Sequence, residues 1–146
     1  NEVAIVKKDT SSMIRIDAFI DDEFLNSYWA DGLLISTPTG STGYSLSCGG
    51  PIILPGTENV IIAPIAPHNL NVRPIIVNEK SRIRLKVEDR DQLALVSLDS
   101  RSRAFDSSLE LIIQKADFKI NLIEPKDNSS ITTIRTKLMW GSDKRN

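Results

Sequence analysis

The sequence has 146 residues, of which 40% are hydrophobic and 25% charged, and its formal net charge is -1. This length and composition are typical of one soluble globular domain with a core of its own. The nearly neutral charge gives no electrostatic reason to expect nucleic acid or an anionic membrane as a partner. The single cysteine, Cys48, excludes an internal disulfide and a cysteine-based zinc site, and we expect a cytoplasmic protein.

The apolar runs and the beginning of the chain can indicate a membrane span, a signal peptide or a longer protein. The longest apolar runs, such as residues 60–63, are far too short to span a bilayer. No signal-peptide pattern precedes the first predicted strand. The chain begins at Asn1 without a methionine, so we expect it to be part of a longer protein.

Short stretches rich in β-branched and apolar residues recur along the chain and predict strands. The clearest is 13–20, where Ile14 and Ile16 alternate with Arg15 and Asp17, as in a half-buried strand. The other predicted strands are 3–7, 24–30, 32–36, 60–65, 72–77, 83–87, 93–98, 109–113 and 118–123. The strands at 13–20 and 24–30 are predicted to form a hairpin. This succession predicts a mostly-β, two-sheet, sandwich-like fold in a single domain covering residues 1–146.

Two stretches predict helix. Residues 41–48 lie between Gly40 and the pair Gly49-Gly50, so we expect one short helix there, beginning between Gly40 and Thr42. A second short helical turn is predicted around 131–138.

The segment 31–45 combines a strand, a turn rich in Gly, Ser and Thr, and the beginning of the first predicted helix. The free N–H groups at a helix N-terminus, together with the helix dipole, can bind an anion or a polar ligand edge. Taken alone, the pattern favours a simpler interpretation, in which Thr39 or Ser41 caps the helix and the glycines only form the turn. The segment is neither a P-loop nor a nucleophile elbow, because no G-x-x-x-x-G-K and no G-x-S-x-G occurs in it.

Residues 31–47, with the sequence DGLLISTPTGSTGYSLS, closely resemble the signature of the NAD kinase family, in which alanine often stands at the position of Gly43. Four further segments resemble that family in the same order along the chain. They are Asn1-Glu2, the Pro-His and Arg-Pro pairs within residues 64–74, Leu98-Asp99-Ser100, and residues 120–123 with 137–140. One departure is Arg101, which stands where the family often has glutamine.

The resemblance implies the C-terminal domain of an ATP- or polyphosphate-dependent NAD kinase. Such an enzyme transfers a phosphoryl group to the 2′-hydroxyl of the adenosine ribose of NAD and so makes NADP. The implied partners are NAD, ATP or polyphosphate with Mg or Mn, and further copies of the chain in a homodimer or homotetramer. The family's Gly-Gly-Asp-Gly motif, which carries the proposed general base, is absent from this sequence. We therefore expect no catalytic residue and no bound metal in this chain, and no activity from it alone.

The resemblance also implies which residues bind NAD. They are Asn1, Glu2, Asp31, Thr42, Gly43, Tyr44, Ser45, Leu46, Ser47 and Ala66. Asn1 and Glu2 resemble the pair that holds the adenosine side, and Asp31 resembles a residue that contacts the nicotinamide side. Because Asp31 begins the strand that leads to the turn, the length of that strand predicts that it cannot share a ligand with Thr42 of the same chain. We expect Asp31 to serve the ligand of a neighbouring subunit.

Two other classes of function stay open on the sequence. One is a non-catalytic module that binds a nucleotide or another anion at the helix N-terminus. The other is a Ser/His hydrolase that would use a serine of the turn with His68, the only histidine, although its elbow motif is missing.

Overall fold

The computed structural model describes residues 1–8, 12–88, 93–118, 120–121, 123 and 129–142. The chain divides into two compact units, Asn1–Lys115 and Ala116–Asn146. Across the described ranges, no helix has both the length and the apolar character needed to cross a membrane.

The first unit consists of two antiparallel sheets. The strands are β1 Glu2–Lys7, β2 Ile14–Ile20, β3 Glu23–Ala30, β4 Gly32–Ser36, β5 Asn59–Ile65, β6 Ile75–Asn78, β7 Ile83–Glu88, β8 Leu93–Leu98, β9 Arg101–Asp106 and β10 Glu110–Ile113. One sheet has the order β6-β5-β4-β1-β8-β9, and the other has the order β10-β7-β2-β3. The predicted mostly-β, two-sheet fold is confirmed.

The main core lies between the two sheets. Side chains alternate across a strand, so one face of each sheet contributes to this core. The six-stranded sheet contributes Ile5, Leu33, Ile35 and Ile62, and the four-stranded sheet contributes Ile14, Ile16, Ala18, Tyr28, Ile83, Leu85 and Val87. The predicted strand at 13–20 therefore places its apolar set inside and leaves Arg15 and Asp17 on the other face.

Strand β4 is buried on both faces. Leu33 and Ile35 point into the main core, whereas Leu34 belongs to a second cluster on the opposite face of the same sheet. The other buried members of that cluster are Ala4, Ile53, Ile61 and Ala63. Because both faces of β4 are buried, its sequence is a continuous apolar run. The same packing fixes the strand that leads into the candidate site.

The observed strands differ from the predicted ones by more than one residue in three places. Strand β9 was not predicted, because Arg101–Asp106 is an edge strand that is almost wholly exposed and has no apolar alternation. Strand β6 begins at Ile75 rather than at Val72, after Pro74, which has no N–H to donate to a sheet. The predicted strand at 118–123 is wrong for Phe118, Ile120, Asn121 and Ile123, none of which lies in a strand. Residues 119 and 122 lie outside the described ranges.

The second unit contains the other predicted helix. Helix α2 spans Ser130–Lys137, which confirms the expectation for residues 131–138. Ser129 caps it by accepting a hydrogen bond from the N–H of Thr132 at 3.4 Å.

Candidate functional site

The Gly/Ser/Thr segment forms two short helical turns instead of one helix. A 3-10 turn spans Thr39–Thr42, and a single turn of helix, α1, spans Tyr44–Ser47. Gly43 separates them with φ -97° and ψ -130°, which lies outside the helical region. The expectation of one helix from Ser41 to Cys48 is corrected accordingly, since the backbone at Gly43 interrupts it.

Ser41 holds this segment in place through the hydrogen bonds of its buried side chain. Its hydroxyl donates to the carbonyl oxygen of Pro38 at 2.6 Å and accepts from the N–H of Ile53 at 3.0 Å, and the side chain is fully buried. The bond to Pro38 closes the turn itself, and the bond from Ile53 fixes the turn to the chain that follows α1. Ser41 is therefore structural, and its bonds give no support to a hydrolase that would use this serine with His68.

The beginning of β1 is bound to the same turn. The N–H and the hydroxyl of Thr37 both donate to the carbonyl oxygen of Asn1, each at 3.0 Å. Gly40 lies so close that a Cβ placed on it would overlap this carbonyl and would approach the Ser36 hydroxyl oxygen to 2.6 Å. Two sequence-distant motifs, Asn1-Glu2 and the Gly/Ser/Thr turn, thus meet at one place.

Glu2 has a carboxylate oxygen without a protein partner. Its N–H donates to Oδ1 of Asp99 at 3.0 Å, which fixes the backbone. Its Oε2 atom is shielded from solvent and has no hydrogen-bond partner among the described residues. Gly43 lies beside it, because a Cβ added there would be 3.5 Å from Oε2. A buried acceptor left unpaired costs free energy, so this oxygen is available to a ligand that donates hydrogen bonds.

Some of the predicted ligand residues of the turn face solvent, and others face the protein interior. Thr42, Gly43, Tyr44 and Ser47 are exposed, and the Tyr44 side chain is 42% exposed. Leu46 is half-buried. Ser45 is fully buried against Gly50, where an added Cβ would overlap its hydroxyl oxygen. The structure therefore turns the Ser45 side chain inward, away from the face that Tyr44 and Ser47 share.

Helix α1 lies against the outer face of the six-stranded sheet. Cys48, which follows it, packs against the second core cluster, where Val6 and Ile65 also pack. Burial raises the pKa of the Tyr44 hydroxyl, and the charges of Cys48 and Asp31 raise it further.

Asp31 lies at the other end of β4 in an ion pair that the sequence did not indicate. Its Oδ1 is 2.6 Å from Nζ of Lys7, and its N–H donates to the carbonyl oxygen of Ile65 at 2.9 Å. The next residue after Ile65 is Ala66, an exposed predicted ligand residue whose φ of 45° is in the left-handed region. A non-glycine residue in that region is strained, and such residues cluster at functional sites.

Sequence reasoning missed the supporting role of Lys7 and of Asp99. On the sequence, Asp99 is only part of the segment Leu98-Asp99-Ser100 that resembles the family; in the structure it lies in a turn with a φ of 51°. The N–H of Glu2 donates to Oδ1 of Asp99 at 3.0 Å, so Asp99 holds the backbone at the beginning of β1. A lysine at the end of a strand is usually solvated, so nothing in the sequence indicated that Lys7 pairs with Asp31. Within the described ranges, no group of three or more His, Cys, Asp or Glu residues could hold a metal ion.

The fold defines the class of protein, because solved structures of dinucleotide kinases share it. A crystal structure of yeast NADH kinase complexed with NADH matches with a TM-score of 0.88 and 29% identity, over 99% of this chain and 45% of that one. A crystal structure of an NAD kinase from Archaeoglobus fulgidus in complex with ATP matches with a TM-score of 0.73 and 33% identity, over 81% of this chain and 45% of that one.

A family model for the ATP-NAD kinase C-terminal domain matches residues 1–125, and the chain belongs to that family. An NAD kinase of Cytophaga hutchinsonii is 59% identical over all 146 residues, which cover 50% of its length. An NAD kinase of Christiangramia forsetii is 54% identical over the same residues and with the same coverage. The chain thus spans about half the length of the curated relatives it matches.

Proposed function

We propose that this chain is the dinucleotide-binding part of an NAD kinase. In the proposed reaction the 2′-hydroxyl oxygen of the adenosine ribose of NAD attacks the γ-phosphorus of ATP. The bond from that phosphorus to the bridging oxygen of ADP breaks, and the hydroxyl proton passes to a base. NADP and ADP result. Catalysis of this kind depends on positioning and on charge stabilisation, so the part that holds the acceptor decides which hydroxyl reacts.

The observation that carries the proposal is the unpaired Oε2 atom of Glu2 beside Gly43. A carboxylate oxygen only accepts hydrogen bonds, whereas ribose hydroxyls and the exocyclic amine of adenine donate them. The neighbouring Gly43 has no side chain and leaves space for a ligand to approach. An adenosine group would give this oxygen the donor that the described protein groups do not supply.

The surrounding residues suit the other parts of a dinucleotide. The exposed ring of Tyr44 offers a stacking surface for a base, and Thr42 and Ser47 offer hydroxyls on the same exposed side. Asn1 borders Glu2 and is exposed, and the two bonds from Thr37 to its carbonyl oxygen fix its backbone beside the turn. We assign Asp31 and Ala66 to the nicotinamide side. For Ser45 and Leu46, one fully and one half-buried, we propose backbone contacts or support of α1.

The rest of the reaction is assigned to the part of the protein outside this chain. Within the described ranges there is no cluster of three or more His, Cys, Asp or Glu residues for a metal ion, so these residues offer no all-protein ligand set for a resident Mg or Mn. We infer that the metal enters with ATP or polyphosphate and that the general base belongs to the other half. We also propose a homodimer or homotetramer in the cytoplasm, in which Asp31 could face a ligand shared with a neighbouring subunit.

The test compares the complete protein with the 146-residue chain. We expect the complete protein to form NADP from NAD with ATP or polyphosphate and a divalent metal. We expect the chain alone to form none, because it lacks the Gly-Gly-Asp-Gly base and general base catalysis contributes about 10²–10⁴-fold. Chromatography of NADP in both samples measures this. Turnover by the chain alone at the rate of the complete protein would refute the assignment of the base.

Replacing Tyr44 with alanine in the complete protein tests the acceptor pocket. We expect the Michaelis constant for NAD to rise about five- to hundredfold, because base stacking on an aromatic ring contributes about 1–3 kcal/mol. The constant for ATP should change little. Tyr44→Phe keeps the ring and should bind NAD nearly as the unaltered protein does. If Tyr44→Ala impairs ATP use while NAD binding stays normal, the pocket belongs to the other substrate.

A further inference from the structure

The ion pair between Lys7 and Asp31 is held in place by the backbone on both sides. The N–H of Lys7 donates to the carbonyl oxygen of Asp31 at 3.0 Å, so the ends of β1 and β4 are fixed to each other. Nζ of Lys7 then lies 2.6 Å from Oδ1 of Asp31. The side chain of Lys7 is 21% exposed and that of Asp31 is 40% exposed. The lysine is thus the more buried partner, and a good part of the carboxylate surface stays open.

The pair lies beside residues that the proposed function already uses. The N–H of Asp31 bonds to Ile65, the residue before Ala66. Asp31 is therefore next to the segment that leads to Ala66, to which the proposed function assigns the nicotinamide side of the dinucleotide.

The two redox forms of the dinucleotide differ in charge at that side. The nicotinamide ring of NAD carries one positive charge, and the dihydronicotinamide ring of NADH is neutral. An unpaired carboxylate nearby would favour the cation by Coulomb attraction, whereas a carboxylate already paired with an ammonium group presents almost no net charge. Solved structures similar to this chain include both a kinase described with NADH and one described as an NAD kinase, so the redox form accepted is a point on which such proteins differ.

We propose that Lys7 is a specificity-determining residue, which neutralises Asp31 and thereby allows the kinase to accept NADH beside NAD. The proposal rests on the proposed function and on the place assigned to Asp31 within it. Lys7 acts through Asp31 and need not touch the substrate. Its removal should leave Asp31 as a bare carboxylate and shift the enzyme toward the oxidised form.

The experiment uses the complete protein and measures kcat/KM for NAD and for NADH, with the phosphorylated products separated by chromatography. For Lys7→Met we expect the ratio of NAD to NADH efficiency to rise about three- to tenfold, the range for a partly screened single charge. The rise should shrink in 0.5 M KCl, because salt screens a half-exposed carboxylate. Lys7→Arg keeps the charge and should keep the original ratio. Lys8→Met, at the exposed neighbouring position, serves as the matched control and should leave the ratio unchanged.

A second pair of variants separates charge from structure. In Asp31→Asn the Lys7→Met change should no longer alter the ratio, because there is no carboxylate to unmask. Equal losses of kcat/KM for both dinucleotides in Lys7→Met, or a shift toward NADH, would overturn the proposal. The proposal would also be overturned if Lys7→Met left the ratio of NAD to NADH efficiency unchanged while the melting temperature of the protein stayed the same. Failure of the unaltered protein to phosphorylate either dinucleotide would instead refute the proposed function, which keeps the two failures distinct.

Discussion

Replacing Gly40 with alanine is expected to lower the free energy of unfolding by about 2–3 kcal/mol, because the new Cβ overpacks a site that is already filled. The methyl group would overlap the carbonyl oxygen of Asn1 and approach the Ser36 hydroxyl oxygen to 2.6 Å. Backbone and a buried serine cannot move aside as a flexible side chain can. The turn would have to separate from β1, so NAD binding should weaken together with stability. Urea denaturation of the chain and NAD titration of the complete protein measure the two effects.

Gly43→Ala is the matched control for that prediction. A Cβ at Gly43 would be 3.3 Å from the carbonyl oxygen of Gly40 and 3.5 Å from Oε2 of Glu2, and the φ of -97° suits an L-residue. Stability should change by no more than about 0.5 kcal/mol. The family resemblance agrees, since alanine often stands at this position. Equal stability of the two variants would contradict the close approach of Gly40 to Asn1.

Replacing Glu2 with glutamine is expected to weaken NAD binding about ten- to hundredfold, the usual effect of losing a hydrogen bond to a charged group. The substitution keeps the size of the side chain and the strand hydrogen bond from its N–H to Asp99. It replaces the carboxylate beside Gly43 with an amide, which has one acceptor oxygen instead of two and carries no negative charge. The same change should cause no loss in the free energy of unfolding without ligand, because it deletes a buried charged atom that lacks a partner.

The second prediction is specific because NAD binding should weaken while the free energy of unfolding is not lowered. A residue that only supports the fold would lose stability and ligand binding together. Calorimetric titration measures NAD binding, and thermal unfolding without NAD measures stability. Both are carried out on the same preparations of the complete protein. Glu23→Gln removes an exposed carboxylate from the other sheet and is the control. If Glu2→Gln binds NAD as tightly as the unaltered protein, the unpaired oxygen does not meet the dinucleotide.

Both predictions concern contacts between β1 and a turn that lies far along the chain. The Asn1 carbonyl and the Glu2 carboxylate acquire their neighbours because β1 pairs with β4 in an antiparallel register, Glu2 opposite Ser36. That register brings the beginning of β1 to the end of β4, where the turn starts. The candidate site is thus a product of strand pairing, and the loop sequence alone does not build it.

Much of the fold was predictable from local pattern. Strand β2 was found from the alternation of Ile14 and Ile16 with Arg15 and Asp17, since a period of two records which face of a strand is buried. The same reasoning failed for β9. An exposed edge strand needs no apolar side chains, because its neighbour β8 supplies the hydrogen bonds that define it.

The sequence by itself determined the mostly-β class, the position of the Gly/Ser/Thr turn and the family resemblance, because these depend on residue types at short spacing. Only the tertiary structure decided which groups face the ligand side. It buried the hydroxyls of Ser41 and Ser45 and left the Glu2 carboxylate oxygen without a partner among the described residues. It also paired Asp31 with Lys7. The direction and partner of a polar side chain depend on the register of distant strands and on packing across the sheet, and neither is encoded within one local segment.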